Sequence, residues 1–323
     1  MQPPARDPGP SDAPTDPLGA DPGVDLSMRI RGLALASPVM PASGCFGPEL
    51  GRLLPMRELA AAVTKTVFLQ ARAGNPAHRL TEIPAGVVNS VGIPSRGPGG
   101  FLTHQYADYQ ALPAPTIVSI GGHAPAEYEQ VAEQLGGAGA GYELNVSCPN
   151  LDTDGRDIGS DPAVLFETVA RVRAVTDKPV IAKLPVMVAS IAECARAAQE
   201  AGADAVCVAN SVPSLPLEPG SLRPALGNRV GGLTGPHIRP IVLRLVWLAA
   251  KAVDVPVIAC GGIATADHAL EYLSVGASAV QVGTANFSRP TAMVDVVRGL
   301  RSRCHAAGVT TLSALLRTDL TLA

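Results

Sequence analysis

Eight short apolar runs recur between Ser37 and Ala285, most of them with Gly, Asn or Ser at or near their ends and several followed by a longer amphipathic stretch. They are "SPVMPASG" from Ser37, "AAVTKTV" from Ala61, "PTIVSIGG" from Pro115, "GYELNVSCP" from Gly141, "PVIAKLP" from Pro179, "ADAVCVAN" from Ala203, "PVIACGGI" from Pro256 and "ASAVQVGTA" from Ala277. A run that is apolar at nearly every position is a strand covered on both faces, and such strands alternating with helices belong to a parallel sheet. The segments between them carry helix signals. "SDPAVLFETVARVRAVT" offers Ser160 or Asp161 as a cap and Pro162 for the first turn, while "SIAECARAAQEAG" and "TADHALEYLSVG" end in Gly. Eight such units closing on themselves predict a (β/α)₈ TIM barrel, an α/β fold whose site gathers at the C-terminal ends of the strands. An open doubly wound sheet is the competing arrangement. Against it, no G-x-G-x-x-G follows the first strand, and polar residues recur at most of the strand ends.

Two connections break the rhythm. From Phe68 to Ala114 the sequence shows no clear single helix but a stretch rich in Gly, Pro and Asn, and "SVPSLPLEPGSLRPALGNRVGGLTG" follows the sixth run. Both are expected to rise from the barrel mouth, where long β–α loops carry ligand contacts. Residues 1–24 are expected to be a disordered tail ahead of one domain over 25–323. The first 23 residues hold seven prolines and no apolar core, unlike a secretory signal.

Hydrophobic residues at 47% against 16% charged suit a compact protein with a large core. A net charge of −3 and a pI of about 6.1 provide no electrostatic grip on nucleic acid or an anionic membrane surface. The one long apolar segment, "IRPIVLRLVWLAAKAV", is broken by Arg239, Arg244 and Lys251, so no membrane span is expected. Six scattered cysteines, without a C-x-x-C pair or a His at ligand spacing, predict no metal site and fit a reducing cytoplasm.

A barrel brings residues distant in sequence to one mouth. The strand ends carry Ser43, Lys65, Ser119, Asn145 with Cys148 and Asn150, Lys183, Asn210 with Ser211, the pair Gly261 and Gly262, and Gly283 with Thr284. Glycines ending the seventh and eighth strands sit where barrel enzymes bind phosphate through backbone N–H groups. A lysine inside an apolar strand needs a partner, and at a strand end it stabilises a ligand's negative charge; a snorkelling side chain is the bland alternative. The amides Asn89, Asn145, Asn150 and Asn210 both donate and accept, which suits a ring with alternating C=O and N–H edges, such as a pyrimidine or a flavin. Cys148, before Pro149 and with no neighbouring His in sequence, reads as a proton-abstracting thiol rather than a Cys–His nucleophile; simple packing is the competing reading.

Taken together and in order, "SPVMPASGCFG", "TKT…GNP…NSVGIPSRG", "ELNVSCPN", "GGLTGPHIRPIVLRLV", "PVIACGGI" and "GASAVQVGTANF" resemble the dihydroorotate dehydrogenase family from about residue 25 onward. The resemblance implies an FMN-bearing barrel that oxidises (S)-dihydroorotate to orotate in pyrimidine biosynthesis, with Cys148 as base toward C5 and hydride transfer from C6 to N5 of the flavin. It assigns FMN to Ser43, Lys65, Thr66, Ser119, Asn145, Lys183, Ala209, Gly235, Gly261, Gly262, Gly283 and Thr284, with Lys183 stabilising the reduced ring. It assigns the substrate to Lys65, Asn89, Ser90, Val91, Gly92, Ile93, Asn145, Asn150, Asn210 and Ser211.

A cysteine rather than a serine as base, with a polar tail in place of an amphipathic extension, resembles the soluble class. The "GGLTGPHIRPIVLRLV" and "GASAVQVGTANF" segments are most similar to its NAD-linked type, whose catalytic subunit, expected as a homodimer, pairs with an electron-transfer subunit carrying FAD and [2Fe–2S]. The fumarate-using homodimeric type is the near alternative. This sequence departs from the family pattern in having Ser119 for an Asn, "KLPVMVAS" after Lys183, a small Ala209, and the acids Asp152, Asp154 and Asp157 after "CPN". A dihydropyrimidine dehydrogenase-like reduction and a degenerate, non-catalytic barrel remain open on sequence. A flavin enzyme of tRNA would call for a more basic surface.

Overall fold

The structure, a computed structural model, describes residues 23–84, 86–147 and 158–319. Cys148, Asn150, Asp152, Asp154, Asp157 and most of the expected tail lie outside the described residues.

Each of the eight apolar runs forms a strand. They are β1 (Val39–Pro41), β2 (Ala62–Val63, resuming as Val67–Phe68), β3 (Thr116–Gly121), β4 (Gly141–Asn145), β5 (Val180–Leu184), β6 (Ala205–Val208), β7 (Val257–Cys260) and β8 (Ala279–Val282). Neighbours in sequence are neighbours in the sheet, with β8 returning beside β1, and every pairing is parallel. The Ala60 amide donates to the Val39 carbonyl at 2.7 Å, linking the approach to β2 with β1 and nearly closing the ring. This closure rules out the open doubly wound sheet.

Alternation along the strands sorts their side chains between two cores. Met40, Val63, Ile117, Ile181, Ala205, Ile258 and Ala279 fill the barrel together with Ile30 and Leu35. The last two come from an antiparallel hairpin, Met28–Ile30 with Leu33–Leu35. Its Arg31 pairs with Asp204 at 3.1 Å, just ahead of β6, so the hairpin plugs the N-terminal end of the barrel. Outward residues such as Val118, Leu144, Ala182, Val206 and Val280 pack against the helices.

Among the described helices are α1 (Gly97–His104), α2 (Tyr106–Gln110), α3 (Pro125–Leu135), α4 (Pro162–Ala174), α5 (Ile191–Glu200), α6 (Arg239–Ala250), α7 (Ala266–Ser274) and α8 (Ala292–Ala306). Asp161 is the cap of α4, accepting from the amides of Ala163 at 2.9 Å and Val164 at 3.4 Å, with Pro162 in the first turn. Ser190 and Thr265 cap α5 and α7 in the same manner.

The irregular connection after β2 is a hairpin, Leu80–Ile83 with Gly86–Asn89, followed by α1 and α2. Both helices are too short to present a 3.6-residue periodicity, which is why the sequence shows no single helix there. The hairpin joins Gly231–Thr234 and Val212–Ser214, from the insertion after β6, in an antiparallel accessory sheet. The two insertions therefore meet each other at the barrel mouth.

Candidate active site

The mouth is built on a buried polar layer. β4, β5, β6, β7 and β8 contribute Glu143, Lys183, Cys207, Cys260 and Gln281, all buried. Lys183 Nζ donates to Gln281 Oε1 at 2.8 Å and lies 3.8 Å from Glu143 Oε1. Gln281 Nε2 donates to Glu143 Oε2, and the Cys207 thiol donates to Gln281 Oε1 at 3.5 Å. Glu143 Oε1 has no hydrogen-bond donor among the described residues. An ammonium and a carboxylate so placed must compensate each other, since a buried charge deprived of its partner costs about 3–5 kcal/mol.

Burial is the largest influence on Lys183 and opposes its charge. Cys260 and Glu143, with Cys207 and Cys45 behind them, outweigh it and raise its pKa above the ordinary lysine value. Cys260 is drawn down, first by the hydrogen bond from Cys207 and then by Lys183, against its burial. Cys207 is pushed up by burial and by that same hydrogen bond. Burial also pushes the Cys45 thiol up to about 11.

Above this layer a chain of side-chain hydrogen bonds spans β2, β3, β4 and the end of β6. Ser119 Oγ lies 3.0 Å from Thr66 Oγ1, and Asn145 Nδ2 donates to that same Thr66 oxygen at 3.1 Å. Asn210 Nδ2 donates to Asn145 Oδ1 at 3.2 Å and to the Ser147 carbonyl at 2.8 Å, and Asn210 Oδ1 accepts from the Ser211 amide at 2.8 Å. The Tyr128 hydroxyl fixes the Asn145 carbonyl at 2.8 Å. Ala209 is buried between these groups and the end of β7, its amide donating to the Cys260 carbonyl.

Both lysines converge on the turn after β1. Lys183 Nζ donates to Ser43 Oγ at 3.5 Å, and a Cβ added to Gly44 would stand 3.8 Å from Lys65 Nζ. Burial first, then the charge of Arg79, lowers the Lys65 pKa, with Cys45 opposing. Lys65 is thus a desolvated cation facing the mouth.

The glycines form a second wall. Gly262 has φ +68°, and a Cβ there would lie 2.8 Å from the Gly235 carbonyl oxygen and 3.1 Å from Pro236 Cα, so backbone packs directly on backbone. The Tyr272 hydroxyl holds the Gly261 carbonyl at 2.7 Å. Gly283, leading through Thr284 into the short helix Ala285–Ser288, faces Ala42 and Cys45. Ends of β1 and β8 approach each other at Gly283, and the end of β7 packs main chain on main chain against the Gly235 turn.

The segment from Asn89 to Ile93 enters from the accessory sheet. Asn89 Nδ2 donates to the Gly232 carbonyl at 3.3 Å, and a Cβ on Gly232 would collide with Ser211 Oγ, so Asn89 and Ser211 flank the same glycine. Asn75 and Asn228 donate to Ser90 Oγ at 2.8 Å and 3.1 Å, the Asn75 amide donates to the Val91 carbonyl, and Arg72 reaches the Gly92 carbonyl at 3.4 Å. Gly92 and Ile93 both take positive φ, +74° and +45°.

Glu143, Gln281 and Ser147 escaped the sequence reading. A lone Glu in "GYELN" and a lone Gln in "AVQV" are the signal that was present: polar residues inside otherwise apolar strands need partners.

Comparison with known proteins bears on this mouth. The sequence model of the dihydroorotate dehydrogenase family matches residues 25–304. The chain is 40% identical over 296 residues to a protein of Geotalea uraniireducens named "Dihydroorotate dehydrogenase B (NAD(+)), catalytic subunit", covering 90% of this chain and 97% of that one. Proteins of the same name from Trichlorobacter lovleyi and Desulforudis audaxviator are 39% and 41% identical, covering 90% and 91% of this chain and 97% of each relative.

Proposed function

The chain belongs to the dihydroorotate dehydrogenase family, and from that premise we propose that it oxidises (S)-dihydroorotate to orotate with bound FMN, as the catalytic subunit of an NAD-linked enzyme. The observation that carries this reading is the hydrogen-bonded run Ser119–Thr66–Asn145–Asn210 at the same mouth as two lysines, Lys65 and Lys183, that converge on the turn after β1. Amides and a cation, together with close-packed glycine backbone, fit an amphoteric ring system with a phosphate tail.

FMN, when bound, supplies the acceptor of the hydride that leaves C6 of the substrate. Gly235, Gly261, Gly262, Gly283 and Thr284 would hold its phosphate end. Ser43, Lys65, Thr66, Ser119, Asn145, Lys183 and Ala209 would hold its ring, Lys183 supplying positive charge from below. Asn89 to Ile93, Asn145, Asn210 and Ser211 would orient the pyrimidine, and Lys65 would balance its carboxylate. Asn150 would join this set. Cys148 removes the C5 proton, so that one proton and one hydride depart and a C=C bond remains. Because Thr66 already bonds Ser119 and Asn145, the shorter Ser119 hydroxyl takes part in the site through Thr66.

The name "catalytic subunit" carried by the relatives supports a partner subunit for this chain as well; that this partner carries FAD and [2Fe–2S], and that two copies of this chain pair, belong to the proposal. Among the described residues no helix is long and apolar enough to cross a membrane.

The test is a spectrum. Purified without oxygen, the chain should show a bound flavin band that bleaches on addition of dihydroorotate. In Cys148→Ala the bleaching should slow by about 10²–10⁴-fold, with Cys148→Ser less affected. A protein purified without flavin, or a flavin that dihydroorotate leaves oxidised, would sink the proposal.

A further inference from the structure

The carboxylate beneath the site has no part in binding or proton transfer as proposed above, yet it is the counter-charge of a residue that does. We propose that Glu143, acting with Gln281, is a positioning residue that holds Lys183 charged and aimed at the mouth and that lowers the electron affinity of the cofactor above it; this rests on the reading of the site as an FMN site.

Three observations converge. Glu143 and Lys183 are buried in one layer, 3.8 Å apart, with no exit to solvent for either charge. Gln281 is oriented by both at once: its Nε2 donates to Glu143 Oε2 and its Oε1 accepts from Lys183 Nζ, so the carboxylate fixes the amide and the amide fixes the ammonium. The second carboxylate oxygen, Oε1, lacks a hydrogen-bond donor among the described residues and lies 3.8 Å from Lys183 Nζ, leaving its negative charge to act on the cation. Cys260, its thiol drawn down to about 7, is the second counter-charge facing Lys183 and stays in place in every variant below. Cys45 and Cys207 both have raised pKa values and are neutral thiols at neutral pH.

A buried anion two positions below Asn145 on the same strand also disfavours added negative charge at the mouth, because charge interactions in a water-poor interior are poorly screened. The layer therefore does two opposed things: it keeps Lys183 protonated to receive a reduced ring, and it tempers how strongly that ring is reduced.

The test uses the isosteric Glu143→Gln, the charge-adding Gln281→Glu, and the exchange Glu143→Gln/Gln281→Glu. Two readouts are taken on the purified chain. The first is the midpoint potential of bound FMN by dye equilibration. Glu143→Gln should favour reduction at least tenfold, about 30 mV upward for a two-electron couple; Gln281→Glu should move it the other way, and the exchange should return it to the parent value or below.

The second readout does not need the flavin. The chain contains four lysines, Lys65, Lys178, Lys183 and Lys251, so ¹³Cε-lysine NMR resolves Lys183. Glu143→Gln should lower the pH at which it deprotonates by one unit or more. An unmoved potential in a variant that retains FMN overturns the inference, as does an unmoved Lys183 titration. Should Glu143→Gln not fold, Gln281→Glu decides it by the same two measurements, an unchanged or raised potential counting against. A parent chain without flavin sinks the FMN reading separately, and the lysine titration still tests the Glu143–Lys183 link.

Discussion

Lys65 and Lys183 show how one residue type is set to two purposes by its neighbours. Lys183 has a carboxylate within 4 Å and keeps its charge in the interior. Lys65 has burial and Arg79 against it, and its pKa is lowered. The linkage sign follows. Below its ordinary pKa the unfolded chain holds the Lys65 proton more readily than the fold does, so Lys65 costs stability at neutral pH, and that cost fades as pH rises toward the ordinary lysine value near 10.5. Lys65→Met should therefore raise the melting temperature at pH 7, with the gain shrinking at pH 9.5, while kcat/KM for dihydroorotate falls by about 10²-fold. A variant that is less stable at pH 7 would show that Lys65 has a structural partner outweighing its burial.

At the scale of elements, the strands place the chemistry and the helix caps hold the strands in position. α4 begins at Asp161, directly after the segment that follows β4, and its cap is a side chain rather than solvent. Asp161→Ala should cost about 1 kcal/mol, read as a lower urea midpoint at unchanged slope. A changed slope would mean that the substitution loosens more than one helix end. The glycine turns act differently, since they admit no side chain. Gly262→Ala would require a Cβ 2.8 Å from the Gly235 carbonyl oxygen at φ +68°, so it should weaken FMN retention along with the fold, and a variant that keeps flavin as firmly as the parent would remove Gly262 from the phosphate-holding set.

Across the whole molecule the ladder is uneven. β3 to β6 pair over four residues at each junction, whereas β2 contributes two short pieces and its approach meets β1 through the Ala60–Val39 link. The accessory sheet stands apart on the mouth. Native-state hydrogen exchange should accordingly find the amides of β4 and β5 slowest, opening only with global unfolding, and those of Gly86–Asn89 and Gly231–Thr234 faster. Equal protection in both sheets would argue that the accessory sheet unfolds only with the barrel.

Apolar periodicity, turn residues and caps were readable one segment at a time, because each depends on neighbours within a few positions. Those local rules sufficed for eight strands, for Asp161 and Pro162 at a helix start, and for lysines and amides at strand ends, since a barrel brings all strand ends to one rim. They did not reveal that Glu143, Lys183 and Gln281 share a layer, nor that Asn75 and Asn228 clasp Ser90. Those contacts join residues separated by 15 to 138 positions, and closure of the barrel, folding of the first insertion and its pairing with the second bring them within hydrogen-bonding distance. A single polar residue in an apolar strand announces that it needs a partner; which partner it finds is decided by register around the ring.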